Sequence, residues 1–243
     1  MAGTLLLVHG FPLDGRMWGE LASAATGVDR VLNPSLAGHA GGAAAAPATT
    51  VDGMARELAG LLDAEGVDAV HLGGFSMGGY VCFAFWRLFP ERVRSLLFVD
   101  TRAGADSEEG KQGRDALAAR VRAEGASAAA DAMVPKLLSE AAPEEMRDQV
   151  RGWVMEQPVE AVVADLQALR DRPDSRADLA GIGVPALVVC GSADVLTPPA
   201  ESELMASSIP GAELVMIERA GHLSPVEQSG AVAGAISGFL SRL

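Results

Sequence analysis

A serine at the tip of a glycine-rich turn constrains the fold of this chain more than any other feature of the sequence. Residues 74–78 read Gly-Phe-Ser-Met-Gly and lie between the apolar run Ala69–Gly73 and a helix-like segment that begins at Gly79. This order predicts a strand, a sharp turn and a helix. The glycines leave room where strand and helix approach each other, and Ser76 must adopt a strained backbone conformation. We therefore expect its hydroxyl to project from the end of a sheet, unless the serine is incidental to a glycine-rich turn.

The order of the histidines along the chain narrows the choice of a general base. A serine is a weak nucleophile until a base takes its proton and an acid orients that base. Of the four histidines, only His222 follows Ser76, so it is the one candidate if the order is serine, acid, histidine. It lies on a predicted loop after the apolar run Ala212–Ile217, from which an imidazole can reach the serine. A loop histidine without a catalytic role is the alternative.

Two aspartates that follow apolar strands are candidates for the acid. Asp194 comes a few residues after the run Pro185–Cys190, and Asp100 directly follows Ser95–Val99. The acid has to fix the imidazole tautomer and stabilise the imidazolium, so it should remain ionised. We place Asp194 first and Asp100 second. A helix cap or a turn is the alternative role for Asp194.

A strand at Thr4–Val8 runs into His-Gly-Phe-Pro at residues 9–12 and suggests where an oxyanion would be held. Acyl transfer places negative charge on the carbonyl oxygen, and each well-placed backbone N–H stabilises that charge by roughly 3 to 4 kcal/mol. The amides of Phe11 and Met77 are the candidates, because the proline has no N–H. His9 supports the loop in this interpretation, and a simple turn is the alternative for the whole segment.

Together, these segments resemble the α/β-hydrolase superfamily. The resemblance rests on residues 74–78, 191–194, 221–222 and 9–11. It implies that Ser76 is the nucleophile, Asp194 the acid and His222 the base, with the Phe11 and Met77 amides as the oxyanion hole. It also implies a three-layer α/β-hydrolase fold with about six mostly parallel strands, helices on both faces and a helical cap insertion.

Within the superfamily, the Phe-Pro-Leu-Asp sequence at residues 11–14, followed by Met17 and Trp18, is similar to small carboxylesterases and enol-lactone hydrolases. The chain departs from its relatives at residues 33–38, where Asn-Pro-Ser-Leu-Ala-Gly replaces the usual Asp-Leu-Pro-Gly. That loop borders the predicted entrance, so the departure bears on substrate preference.

The alternation of strand and helix patterns predicts parallel strands joined by right-handed crossovers. Because the chain begins at the strand that carries the oxyanion loop, we expect the two strands that normally precede it to be missing, which leaves a sheet of about six parallel strands. No strand pattern appears between Thr101 and Pro173. We therefore predict a core domain of residues 1–102 and 174–243, with residues 103–173 as a helical cap over the serine.

Apolar side chains near the predicted site are candidates for a substrate pocket. Met133 and Trp153 of the cap are expected to face the acyl group, and Trp18 and Leu223 are further candidates. Most apolar faces of the cap helices should instead pack on the sheet domain. One sequence does not show which residues of the cap point into the pocket.

The composition limits the kinds of partner that this protein can bind. A chain of 243 residues with 49% hydrophobic content can bury one large core. The net charge of −13 argues against nucleic acids and anionic membranes. Cys82 and Cys190 lie in apolar segments, which favours packing over a disulfide or a metal site. We expect no cofactor, a small-molecule ester substrate, a cytoplasmic location because a signal sequence is not recognisable, and a homodimer as one assembly option.

The function that these patterns favour is hydrolysis of carboxylic esters with small to medium acyl chains, through an acyl-enzyme intermediate. Three alternatives remain open. The same three residues could serve an enol-lactone or carbon-carbon bond hydrolase, or a cofactor-free perhydrolase or haloperoxidase-like enzyme. A ligand-binding member of the fold without catalysis is the third.

Overall fold

Six parallel strands form one sheet in the computed structural model, which describes residues 3–243. The strand order across the sheet is β2-β1-β3-β4-β5-β6. The bounds are β1 Thr4–Val8, β2 Arg30–Leu32, β3 Val70–Phe75, β4 Val93–Val99, β5 Ala186–Gly191 and β6 Glu213–Ile217. The predicted α/β-hydrolase sheet of six parallel strands is confirmed.

Helices cover the sheet, and every residue of β3 and β5 is buried, as expected for parallel strands with both faces covered. The helices are α1 Gly19–Ala24, α2 Val51–Ala64, α3 Met77–Leu88, α4 Glu108–Glu124, α5 Ser127–Leu137, α6 Glu144–Met155, α7 Val159–Asp171, α8 Pro199–Ser208, α9 Ser224–Glu227 and α10 Ser229–Leu240. Short 3-10 turns occur at Gly15–Trp18, Pro90–Arg92 and Arg176–Gly181. None of the helices within residues 3–243 is both long enough and apolar enough to cross a bilayer.

Helix α2 illustrates how local sequence determines these elements. The Thr50 hydroxyl accepts a hydrogen bond from the Gly53 amide at 3.0 Å and so caps the first turn. Buried residues then recur at helical spacing and place one face of the helix against the core: Val51, Met54, Ala55, Leu58, Ala59 and Leu62.

Four helices, α4 to α7, occupy the chain between β4 and β5. They are joined to the rest of the molecule by buried polar contacts as well as by apolar packing. His39 Nε2 lies 2.9 Å from Asp165 Oδ2 on α7, and Gln157 Nε2 donates to Asp14 Oδ2 at 2.6 Å. The division into a core and a cap at residues 103 and 173 stays a prediction.

The His39 and Asp165 side chains are almost completely buried, so their charges affect stability. Burial of the imidazole opposes its protonation, but the Asp165 carboxylate outweighs that effect and raises the pKa of His39 to about 9. The folded-state pKa is therefore above the ordinary value of 6.5. It follows that the pair stabilises the fold fully below pH 6.5 and that this stabilisation is lost as the pH rises through about 9.

We expect the free energy of unfolding to fall by up to about 3 kcal/mol more in the wild type than in His39→Gln/Asp165→Asn as the pH rises from acidic to alkaline. The double variant keeps the side-chain volumes and leaves no buried charge unpaired, which makes it a suitable reference. Urea denaturation at pH 6 and at pH 9.5 measures the difference. Equal pH dependence in the two proteins would contradict the prediction.

Candidate active site

Ser76 lies at the turn between β3 and α3, with a backbone φ of 50° and ψ of −110°. Non-glycine residues rarely have a positive φ, so the conformation is strained and must be held by its surroundings. A Cβ at Gly74 would lie 2.2 Å from the Gly78 carbonyl oxygen, and a Cβ at Gly78 would lie 2.2 Å from that of Val8. The Ser76 amide donates to the Val99 carbonyl at 2.9 Å. Both glycines are thus required by close backbone approach.

Three side chains that are distant in the sequence meet at the carboxyl ends of the strands. His222 Nε2 lies 2.9 Å from Ser76 Oγ, and His222 Nδ1 lies 2.8 Å from Asp194 Oδ2. Asp194 and His222 are buried, whereas Ser76 is half-buried. Hydrogen bonds therefore link the hydroxyl, the imidazole and the carboxylate in that order.

The Asp194 carboxylate is held by four donors. Its Oδ1 accepts hydrogen bonds from the amides of Leu196 at 2.8 Å and Thr197 at 3.0 Å. Its Oδ2 accepts from the Thr197 hydroxyl at 2.6 Å as well as facing His222. Burial would raise the pKa of Asp194, but hydrogen bonds from His222 and Thr197 outweigh burial and lower it. The carboxylate is therefore ionised at neutral pH.

Asp100, the second candidate for the acid, faces a different set of groups. Its Oδ1 accepts from the Gly191 amide at 2.7 Å, and its Oδ2 accepts from the Ser224 hydroxyl. The hydrogen bonds found in residues 3–243 do not join it to His222. Burial and the nearby Asp194 charge raise the pKa of Asp100 well above its usual value, whereas the pKa of Asp194 is lowered.

The loop that carries His222 is fixed by contacts from two directions. The Phe75 ring packs against the imidazole with the centroids 5.0 Å apart. The Leu223 amide donates to the Leu137 carbonyl at 2.7 Å, and the Gly221 amide donates to Glu227 Oε1 at 2.8 Å. These contacts position the imidazole without any need for the loop to move.

The loop after β1 borders the same site. Phe11 is buried and lines the cavity beside Ser76. Within residues 3–243 its amide donates to no backbone carbonyl, and Met77, as the first residue of α3, has no acceptor one turn earlier. His9 supports the loop, since its Nε2 accepts from the Leu36 amide at 3.1 Å. Burial lowers the pKa of His9 to about 3, which keeps the ring neutral.

A cavity of about 500 Å³ opens onto Ser76 and His222. Its apolar lining includes Leu117, Met133 and Leu169, which come from α4, α5 and α7. The predicted position of Met133 at a substrate pocket therefore agrees with the geometry.

The other three predicted pocket residues do not line this cavity. Trp18 is completely buried in the core, where its ring meets Phe75 edge-on at 6.5 Å between centroids. Leu223 is also completely buried, because its backbone is bound to that of Leu137. Trp153 is half-buried and packs against the hydrophobic core from α6. The sequence identifies these side chains as apolar, but it does not determine which way each one points.

Comparison with known proteins places this geometry in a family. The model of the alpha/beta hydrolase family matches residues 5–235. The chain belongs to the alpha/beta hydrolase family. A curated relative of this chain is the dihydrolipoyllysine-residue acetyltransferase component of an acetoin cleaving system from Pseudomonas putida, which is 30% identical over 246 residues, or 98% of this chain and 63% of that protein. The chain thus spans about three fifths of the length of the first curated relatives it matches.

Two solved structures cover the chain almost completely. One is a thermophilic esterase from Thermogutta terrifontis, studied with malate bound, with 39% identity and a TM-score of 0.95 over 100% of this chain and 90% of that chain. The other is an enol-lactonase from Burkholderia xenovorans LB400, with 27% identity and a TM-score of 0.90 over 99% of this chain and 92% of that chain. The predicted resemblance to esterases and enol-lactone hydrolases is confirmed.

Several residues of this site were not found by sequence reasoning. Thr197 binds Asp194 through both its amide and its hydroxyl, and the signal for it was an aspartate followed by a threonine three residues later. Tyr80 is buried in the core and also lines the cavity, together with Arg102 and Arg114. No local sequence pattern distinguishes an arginine that lines a cavity from one on a solvated surface.

Asp100, Cys190 and Asp194 bring three potential metal ligands within 4.8 Å of one another. The oxygens of both carboxyl groups already accept hydrogen bonds from the chain itself. Burial also raises the pKa of the Cys190 thiol to about 12, so the sulfur keeps its proton at neutral pH. A cation at this point would have to displace the donors that orient Asp194. The donor set therefore does not fit a metal.

Proposed function

We propose that this α/β hydrolase is a serine hydrolase that cleaves carboxylic esters with small to medium acyl chains through an acyl-enzyme intermediate. One observation carries the proposal: hydrogen bonds run from Ser76 through both ring nitrogens of His222 to Asp194. A hydroxyl, an imidazole and an ionised carboxylate in this order are what activates a serine for attack on an acyl carbon.

The first half of the reaction acylates Ser76. His222 takes the hydroxyl proton at Nε2 while Ser76 Oγ attacks the ester carbonyl, and Asp194 stabilises the resulting imidazolium. The oxyanion of the tetrahedral intermediate accepts hydrogen bonds from the amides of Phe11 and Met77. The imidazolium then protonates the alcohol oxygen as the carbon–oxygen bond breaks, and the alcohol leaves.

The second half returns the enzyme to its starting state. A water molecule gives a proton to His222 Nε2 and attacks the acyl carbon, and the same two amides stabilise the second oxyanion. The bond between the acyl carbon and Ser76 Oγ breaks, and the serine receives the proton from the imidazolium. The carboxylic acid is released. The neutral His222 and ionised Asp194 are then ready for the next ester.

The dimensions of the cavity support the proposed substrate size. A volume of about 500 Å³ beside Ser76 accommodates a short or medium acyl chain, and Leu117, Met133 and Leu169 supply apolar contacts. The similarity to the Thermogutta terrifontis protein, which is named an esterase, supports ester hydrolysis.

An enol-lactonase is the second candidate function. The 27% identity and TM-score of 0.90 with the Burkholderia xenovorans enol-lactonase favour it. A lactone is a cyclic ester, so the same nucleophile and oxyanion hole would open the ring. The difference is that the alcohol product stays attached to the acyl group.

A panel of p-nitrophenyl esters with acyl chains of 2 to about 12 carbons, run beside an enol-lactone, tests both candidates. For an esterase we expect the highest kcat/KM at short or medium chain lengths and poor turnover of the lactone. A fluorophosphonate should also label Ser76, detected by peptide mass spectrometry, and His222→Gln should prevent the labelling. Ester turnover without any labelling of Ser76 would overturn the proposed nucleophile.

A further inference from the structure

The cavity beside Ser76 is rich in positive charge although the chain as a whole carries a net charge of −13. Arg102, Arg114, Arg120 and Lys136 line it, and Asp106 is the one carboxylate in its lining. The sign of the local charge is therefore opposite to that of the whole molecule. A half-enclosed site of this kind concentrates its field and attracts the opposite charge.

The cationic lining residues Arg102, Arg114, Arg120 and Lys136 form what we call the positive wall of the cavity. An ion cluster around the buried Asp106 forms its inner part. Asp106 accepts hydrogen bonds from Arg102 at 2.6 Å, from Arg114 at 3.0 Å and from Arg172 at 2.7 Å. One carboxylate thus serves three guanidinium groups. The charge of Glu201 also acts on Arg102. Arg102, Arg114 and Arg172, taken with Asp106 and Glu201, therefore carry one net positive charge.

Two further cations stand at the more exposed part of the cavity. Arg120 is matched by Glu124 at 3.0 Å. Lys136 is exposed and has no carboxylate partner within 4.0 Å among the described residues. Lys136 therefore adds to the excess positive charge, whereas Arg120 adds little.

The helix that supplies most of this wall leaves free space beside Arg114. Gly110, Gly113, Arg114 and Leu117 of α4 all line the cavity. A Cβ at Gly113 would meet no atom within 4 Å. The cavity is thus open at Gly113, beside the backbone of Arg114.

We propose that the ester cleaved at Ser76 carries a carboxylate, which binds to Arg114 with Arg102 and Lys136 nearby. This inference rests on the proposed esterase function and names its substrate class. A guanidinium matches a carboxylate with two parallel hydrogen bonds, and Leu117 and Met133, which line the same cavity, suit a short hydrocarbon spacer. The carboxylate belongs to the acyl part or to the alcohol part of the ester.

Two matched pairs of esters test the proposal and separate the two sources. Methyl hydrogen glutarate and methyl glutaramate differ only in an acyl-side carboxylate against its amide. The pair 4-acetoxybutanoate and 4-acetoxybutanamide places the same difference on the alcohol. We expect about 10- to 100-fold higher kcat/KM, chiefly through KM, for the carboxylate member of one pair. The pair that shows it identifies the part of the ester that is charged.

Variants then connect the preference to the wall of the cavity. Arg114→Gln should reduce the carboxylate-to-amide ratio about tenfold. Gly113→Glu should reduce it relative to Gly113→Gln, without breaking any ion pair of the cluster. Arg151→Gln removes an arginine of α6 that pairs with Asp131 outside the cavity, so it should leave the ratio unchanged.

The results distinguish failure of this inference from failure of the proposed function. Turnover of p-nitrophenyl butyrate with no preference in either ester pair would overturn the inference and leave the esterase standing. A preference that survives Arg114→Gln and Gly113→Glu would also overturn it. If no ester is cleaved, the proposed function fails, and so does this substrate class. Calorimetry with glutarate and glutaramide would then show whether the cavity binds carboxylates at all.

Discussion

Replacement of Ser76 by alanine should lower kcat for p-nitrophenyl butyrate by about 10⁴- to 10⁶-fold. Alanine removes the only atom that can form the acyl-enzyme, and the remaining groups can do no more than orient a water molecule. The Ser76 hydroxyl has His222 as its hydrogen-bond partner, and the structural bonds of the turn come from backbone atoms, so the fold should be unchanged. Stopped assays at high enzyme concentration measure the residual rate.

Ser207→Ala is the matched control for this experiment. Ser207 is an exposed serine of α8 whose hydroxyl donates to the Leu204 carbonyl, away from the cavity. It should keep wild-type activity, and both variants should keep the wild-type Tm within a few degrees. Activity of Ser76→Ala within tenfold of the wild type would end the proposal of a serine nucleophile.

Asp194→Asn should cost far more activity than Asp100→Asn. Asn at position 194 cannot accept the Nδ1 proton of His222 as a carboxylate does, so the imidazole takes the wrong tautomer and its cation loses a counter-charge. We expect kcat to fall on the order of 10⁴-fold. Asp100 bonds to Gly191 and Ser224, burial raises its pKa well above the usual value, and an asparagine side chain keeps its shape. That variant should retain activity within about tenfold of the wild type.

Parallel measurements of kcat for the two variants, with Tm as a stability control, provide the comparison. Equal losses would remove the assignment of Asp194 as the acid. Loss of activity in Asp100→Asn alone would transfer that role to Asp100. The Tm identifies a variant that fails to fold, so a loss of activity at an unchanged Tm reports on catalysis.

The elements of this fold could be predicted because their causes are local. The turn needs glycine two positions before and two positions after Ser76, and this requirement is contained within five consecutive residues. Apolar runs mark strands such as β1 and β5, and the spacing of apolar residues marks the buried face of α2. The chain order of serine, aspartate and histidine also reduced the candidates for the site to few residues.

Side-chain direction in the pocket could not be predicted in the same way. Trp18 and Met133 are both large apolar residues, yet one lies in the core against Phe75 and the other lines the cavity. Their environments depend on how α5 and the turn at Gly15–Trp18 pack against distant strands. The arginines around Asp106 illustrate the same limit, since Arg102, Arg114 and Arg172 are separated in the sequence and only the fold brings them to one carboxylate.

The sequence by itself determined the strained serine turn and the short set of residues that could act with it, because sterics operate over a few neighbouring positions. The alternation of strand and helix patterns predicted parallel strands, and the resemblance to the α/β-hydrolase superfamily implied that there would be about six. Only the tertiary structure decided that His222 lies 2.9 Å from Ser76 and contacts Asp194 rather than Asp100, and that the cavity has a positive wall. Those facts depend on distances between residues far apart in the chain, which are set by the packing of helices onto the sheet.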